Sequence, residues 1–399
     1  VGDRKRPRGF EMMREFLRNE SSSGFALIAA AVVGLIWANS SMRQSYTDLL
    51  HLRLGFETAY FSLHLTAHDW VNEGLMAAFF MLVTLEIRRE VIAGELSTFD
   101  RAALPVIAAF GGIIFPASIC AAFLRHDPAT LRGWAIPTAT DVAFALAALS
   151  LVGRAVPATV KIFLAALAVI DDLAAIAIIA VFYTASLALP ALFLALAAFA
   201  ALLVLNRLRV TWLPIYFTIG AVMWFCVFES GVHATLAGVA LALALPAGAI
   251  EKTEHAVHPY VAFAVVPIFG LFNAGVSFAG LTTSALLGPV PLGIAAGLFF
   301  GKQIGIFSFS WIAVKSGIAS LPHGANWRLM YGVALLGGIG FTMSLFIAAL
   351  AFNSDALLVQ TKIGVLTGSA LSACVAYLVL RGAGTRRRAL PSSVTEPAR

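Results

Sequence analysis

The chain has 399 residues, 60% of them hydrophobic and only 12% charged, with a net charge of +6 and a mean hydropathy of +0.89. Soluble domains carry roughly 25% charged residues, so this composition cannot cover a water-facing surface and excludes an ordinary soluble globular protein. Apolar blocks recur from Gly24 almost to Leu380 without a long polar interruption, which reads as one all-α, polytopic membrane domain.

In chain order, "VGDRKRPRGFEMMREFLRNE" is basic and partly amphipathic and is expected to form a cytoplasmic segment over residues 1–23. No small-residue cleavage pattern accompanies it, so the apolar run that follows is read as a retained first span. Apolar segments are expected near 24–39, 70–87, 102–124, 134–152, 157–183, 188–206, 211–228, 232–247, 257–279, 291–314, 328–352 and 357–381. These are about twelve transmembrane helices in a single domain over 24–381, ahead of a basic cytoplasmic tail over 382–399. Between the first two spans, "HLRLGFETAYFSLHLTAHDW" alternates at Leu52, Leu54 and Phe56 and again, more loosely, from Tyr60 to Leu65. That pattern suggests either a small extracytoplasmic β-hairpin, whose edge could mediate dimer contact, or a plain loop.

With the N-terminus inside, the N-terminal arm, Arg88, Arg89, Arg101, Arg154, Arg207, Arg209, Lys252, Lys315, Arg328 and the tail fall on the cytoplasmic side. Arg43, Arg53, Arg125, Arg132 and Lys362 fall outside, an asymmetry of roughly four to one that places both termini in the cytoplasm. The distribution accounts for the net charge, and no nucleic acid need be invoked. Cys120, Cys226 and Cys374 lie in apolar segments without CxxC spacing and imply no disulfide frame or thiolate metal site.

Two spans read as broken. In "WAIPTATDVAFAL", Pro137 removes a helical hydrogen bond just before Thr138, Thr140 and Asp141; in "ALLGGIGFTMSLFIA", Gly337, Gly338 and Gly340 fall in mid-span. Unwound backbone at membrane depth is tolerated only inside protein or beside water, so both breaks are expected to face inward. Each is the second span of a three-span unit, 102–183 and 291–381. An odd number of spans makes the two units oppositely oriented, which is the inverted-repeat plan of secondary transporters.

The ionisable groups well inside spans are Asp141, Asp171, Asp172 and Lys302. An aspartate at a helix centre costs about 2.5 to 3.5 kcal/mol to insert, so the doublet in "LAALAVIDDLAAIAIIAVFY" signals an ion or proton route. Neighbours on a helix point about 100° apart, so the two carboxylates need different partners. The economical arrangement gives one of them to Lys302 as an ion pair. The other then faces a water-filled site with Thr140 and freed carbonyls, an oxygen-rich set that suits a hard monovalent cation such as Na+. Burial raises a carboxylate's pKa and a nearby cation lowers it, so proton and metal ion could compete for one group. Static readings stand beside this one. Asp141 and Lys302 could compensate helix-terminus dipoles at the breaks, and Asp171 could be a structural partner of Lys302.

Elsewhere, Glu86 and Glu90 are spaced i,i+4 at a cytoplasmic end, and His255 and His258 i,i+3 on the same side. Spacing alone favours solvated interfacial charge over a pH sensor. His233 is read as a packing or interface histidine. Two other functions bear on the same features. A sodium-coupled organic-solute symporter would need a larger cavity with anchoring charge. An intramembrane aspartyl protease would need its aspartates on separate helices, with a GxGD segment that the sequence lacks.

The segments "WAIPTATDVAFAL", "KIFLAALAVIDDLAAI", "SGVHATLAG", "LFNAGVSF", "GKQIG" and "GGIGFTMSLFIA" resemble, in order and across nearly the whole chain, those of the NhaA-type sodium/proton antiporters. Those transporters are among the cases on which the inverted-repeat rule rests. The resemblance implies a secondary transporter of the bacterial inner membrane, with both termini cytoplasmic, two crossing broken helices and a homodimeric assembly in lipid. It implies exchange of Na+ or Li+ for more than one H+, electrogenic and pH-regulated, with no cofactor. It assigns cation and proton binding to Asp172, with Asp171 and Thr140 alongside; Asp171 and Asp172 would be the groups on Na+. Lys302 and Asp141 become charge partners, Lys302 of Asp171 and Asp141 of the half-helix ends. Glu86, Glu90, Glu254, His255 and His258 match a pH-responsive cytoplasmic funnel. The loop before His255, "PAGAIEKTEH", is short and has Lys252 beside Glu251 where the family is more basic.

Overall fold

The computed structural model describes residues 8–57, 62–153, 156–184, 187–278 and 283–388. The start of the N-terminal arm, the hairpin tip with Tyr60, Arg154, and the tail beyond residue 388 lie outside the described residues. By length and composition, six unbroken helices can cross a membrane, or up to nine spans if each of three bent helix pairs counts as one.

Helix α1 (Arg8–Ala38) runs through residue 24 without interruption and then turns by 116° into α2 (Arg43–Leu50). Strands β1 (Arg53–Glu57) and β2 (Ser62–Thr66) pair antiparallel, with Leu54 opposite Leu65. A capping box follows, in which the Asp69 N–H donates to Thr66 Oγ1 (3.1 Å) and the Thr66 N–H to Asp69 Oδ2 (2.9 Å). A π-helical turn over Trp70–Leu75 then leads into α3 (Met76–Ala93). Helix α4 (Phe99–Leu124) precedes the first broken element, a 3-10 stretch over Arg132–Thr138 followed by α5 (Val142–Val152) at a bend of 46°. Next come α6 (Ala158–Phe182), α7 (Leu189–Arg207), α8 (Leu213–Glu229) and α9 (Thr235–Ala244).

Helix α10 (Ile250–Tyr260) continues through a π-turn at Val261–Val265 into α11 (Val266–Ala274). The helix expected near 257–279 thus starts earlier, after Pro246, and carries His255 and His258 on its first turns. Helix α12 (Pro289–Ala296) passes through a π-turn at Gly297–Gly301 into α13 (Lys302–Lys315). The second broken element is α14 (Trp327–Leu336), capped by Asn326, with α15 (Phe341–Ala351) at 41°, and α16 (Asp355–Arg388) follows.

The two breaks lie against each other. The Asp141 N–H donates to the Ile339 carbonyl (2.7 Å), and Ser344 Oγ donates to the Ile136 carbonyl (2.7 Å). Backbone groups freed by Pro137 and the glycines are therefore met by protein, which is what lets unwound chain persist in an apolar interior. Phe80, Phe269, Phe346 and Leu298 are fully or almost fully buried in the surrounding core, while Phe193, Leu194 and Val181 turn outward, as in a protein whose solvent is lipid.

Lys302 is delivered to this centre by a close helix crossing. A Cβ on Gly111 of α4 would collide with the Gly305 carbonyl of α13, and one on Gly305 with the Gly111 carbonyl, so the two backbones meet where side chains would hold them apart. The π-turn just before Lys302 changes the helical phase at that point, a feature common at functional sites.

Candidate functional site

Helix α6 carries the acidic doublet into the crossing of the two breaks. Lys302 Nζ donates to Asp171 Oδ2 at 2.5 Å, and neither side chain has measurable exposure. Thr140 completes the group: its hydroxyl lies within donating distance of Asp171 Oδ2 (2.6 Å) and of the Gly337 carbonyl (2.9 Å), and accepts from Lys302 Nζ (3.1 Å). The reading from residue types alone put Thr140 beside the carboxylate not paired with lysine; the structure has it on the cavity that Asp172 lines and also in contact with the ion pair. The reason is positional, because the break sets Thr140 between the Gly337 carbonyl and the ion pair, and both claim its hydroxyl.

Asp172, one residue on, points elsewhere, as a 100° step requires. It is 3% exposed, and its Oδ1 has no hydrogen-bond partner among the described residues. It lines a cavity of about 70 Å3 whose wall also includes Thr140, Asp141, Thr342, Val169 and Glu86. A buried carboxylate oxygen without a partner is expensive, so the pocket is built for something that supplies positive charge or a proton.

Asp141 stands where two half-helices begin. Its Oδ1 accepts from the Phe144 N–H of α5 (2.9 Å), while Oδ2 accepts from the Thr342 N–H (3.0 Å) and hydroxyl (2.6 Å) of α15. The charges can now be apportioned. Lys302 offsets Asp171, and two helix N-termini, each worth about half a positive charge, offset Asp141. With every group ionised, about one negative charge remains, that of Asp172.

The other expected residues form a second group at the α3 and α10 ends. Glu90 and Glu254 are buried, and Arg89 bridges them: its Nη2 lies 3.2 Å from Glu90 Oε1, and its Nε lies 3.0 Å from Glu254 Oε2, an ion pair rather than an aligned hydrogen bond. Glu86 is half-buried and lines both the Asp172 cavity and a smaller one of about 20 Å3 shared with Arg89 and Glu90. His258 is half-buried and His255 exposed. His233 bridges elements: its Nδ1 lies 3.4 Å from Glu73 Oε1, and its Nε2 2.8 Å from the Tyr183 carbonyl.

Residue-type reasoning missed Arg89, sorting it only as cytoplasmic positive charge, and missed Thr342. A signal for Thr342 was present, since "GFTMS" follows the glycines just as "TATDV" follows Pro137, and each puts a polar residue at the start of a half-helix.

Comparison with known proteins gives one consistent result. A family model described as Na+/H+ antiporter 1 matches residues 14–380. A Na(+)/H(+) antiporter NhaA of Bordetella parapertussis is 53% identical over 93% of this chain and 96% of its own length. One from Nitrobacter hamburgensis is 52% identical over 94% and 93%, and a Na(+)/H(+) antiporter NhaA 1 of Brucella anthropi 51% identical over 94% and 96%.

Proposed function

This chain belongs to the Na+/H+ antiporter 1 family and exchanges Na+ for protons, and we propose that Asp172 is the group the two ions occupy in turn. It is a multi-pass bacterial membrane transporter. The observation that carries the assignment to Asp172 is its buried Oδ1, unpartnered among the described residues, on a cavity that Glu86 also lines, beside a carboxylate already committed to Lys302. One residual negative charge is neutralised equally by one proton or one Na+, and binding of either excludes the other. If only the neutralised site reorients between the two faces, competition becomes exchange by alternating access. The roughly 70 Å3 of space holds an ion with a few waters, which disfavours an organic co-substrate.

The finer scheme follows from the same residues. Asp171 and Thr140 stand alongside Asp172 as further oxygen donors, and Li+ is taken to be a second transported cation. More than one proton moves per cation, and transport is electrogenic, with Lys302 contributing the additional proton. The Arg89, Glu90 and Glu254 cluster, with Glu86, His255 and His258, sets the pH range. The count of twelve spans is supported by the nine candidates together with two shorter apolar helices, α8 and α9, and the charged-ended α3. They would form two inverted repeats in the inner membrane with both termini cytoplasmic, and the paired strands would serve a homodimer. No cofactor or enzymatic step enters the scheme.

The test is Asp172→Asn in reconstituted vesicles carrying a pH gradient. Na+-triggered proton movement, read with a pH-sensitive dye, is expected to vanish. Parent-like flux in that variant would overturn the assignment.

A further inference from the structure

Thr342 stands at the second position of α15, and both of its polar groups converge on one oxygen. Its backbone N–H (3.0 Å) and its hydroxyl (2.6 Å) donate to Asp141 Oδ2, whose partner oxygen caps α5. Gly340, the N-cap of α15, provides no side-chain cap, so this residue and Asp141 together fasten the start of that half-helix. The residue is buried and lines the same cavity as Asp172. A threonine hydroxyl has one proton to give and two lone pairs to accept with. With that proton committed to Asp141, the oxygen can act in the cavity only as an acceptor, the role a cation needs.

We propose that Thr342 is a positioning residue for cation capture, its hydroxyl holding Asp141 between the two half-helices and offering the transported cation an oxygen opposite Asp172. This rests on the assignment of Asp172 as the shared ion site. The hydroxyl does two things that the backbone N–H cannot do alone. It shares the Asp141 charge across α5 and α15, which fixes the separation of the two half-helices that begin at the cavity. It also adds an oxygen where the remaining wall is largely apolar, as at Val169, Val261 and Val266. A hydrated Na+ loses water only where protein oxygens replace it, so loss of this oxygen weakens cation binding more than proton binding.

The experiment compares Thr342→Val and Thr342→Ser with the parent in reconstituted vesicles, measuring apparent KM for Na+ and for Li+ separately from the maximal rate. Thr342→Val is expected to raise the KM for Na+ at least tenfold while the maximal rate changes by less than about threefold; Thr342→Ser is expected to restore KM to within about twofold of the parent. An unchanged KM in Thr342→Val overturns the proposal. So does a fall in maximal rate at constant KM, which would mark a purely architectural role, or a serine variant as impaired as the valine one. Should Thr342→Val fail to accumulate in the membrane, Thr342→Ala carries the same test with the same outcomes. Failure of the underlying assignment looks different, because then Asp172→Asn would retain Na+-triggered proton movement.

Discussion

Replacing Lys302 by Gln removes the cation from a pair with no exposed surface, leaving Asp171 with only the Thr140 hydroxyl against its Oδ2 and nothing on Oδ1 among the described residues. Breaking a buried pair by deleting one partner costs about 3 to 5 kcal/mol, because the surviving charge keeps its desolvation penalty without the compensating attraction. Asp171 can escape part of that cost by taking up a proton and lying neutral beside Thr140. The loss should therefore be largest at alkaline pH, where a proton is scarce, and smaller in acid. Replacing the carboxylate as well, in Asp171→Asn/Lys302→Gln, removes the orphan charge and should recover more than half of the loss. The assay is thermal unfolding of purified protein in detergent, followed across pH 5 to 9 for the parent, the single variant and the double. If Lys302→Gln melts within about 1 °C of the parent at pH 9, or if the double variant is no more stable than the single, then the pair does not bear on the fold as its geometry implies. In transport, the same single variant is expected to lose its response to membrane potential, because the additional proton is assigned to Lys302.

Three further outcomes are expected. Gly305→Val drives a side chain into the Gly111 carbonyl and should destabilise by about 3 kcal/mol, whereas Gly248→Ala, with open space around it, should melt like the parent. His68, whose Nε2 lies 3.2 Å from Asn273 Oδ1, is held below its ordinary pKa by burial and by the nearby Lys362, with a smaller contribution from His51 and opposition from Asp69 and Asn273. The unfolded chain then binds the proton more readily, so this contribution is intact above about pH 6.5 and is lost as pH falls below it. His68→Gln should consequently flatten the fall in melting temperature between pH 8 and pH 5, and an equally steep fall in the variant would remove His68 from the pH dependence. Arg89→Gln leaves two buried glutamates without their shared cation, and the pH of half-maximal exchange is expected to move alkaline by about one unit in dye-reported flux; an unmoved profile would remove the cluster from pH control.

Hydropathy alone established a membrane-embedded helical protein, because about 2.5 to 3.5 kcal/mol per buried aspartate makes charge inside an apolar run informative wherever it occurs. The same reasoning identified Asp141, Asp171, Asp172 and Lys302, and Pro137 and the triple glycine marked the broken helices from local chemistry. The resemblance to a known family then distributed roles among those residues. Helical phase could say that the doublet points two ways but not which way meets the lysine, since phase is defined only relative to its own helix. Lys302 is 131 residues from Asp171, and the crossing of α4 and α13 at Gly111 and Gly305 brings them together. Thr140 joined the ion pair while still lining the Asp172 cavity, and Thr342 reached Asp141 across 201 residues, for the same reason. Sequence sets what each segment must hide from lipid, and only packing of the segments decides which hidden group answers which.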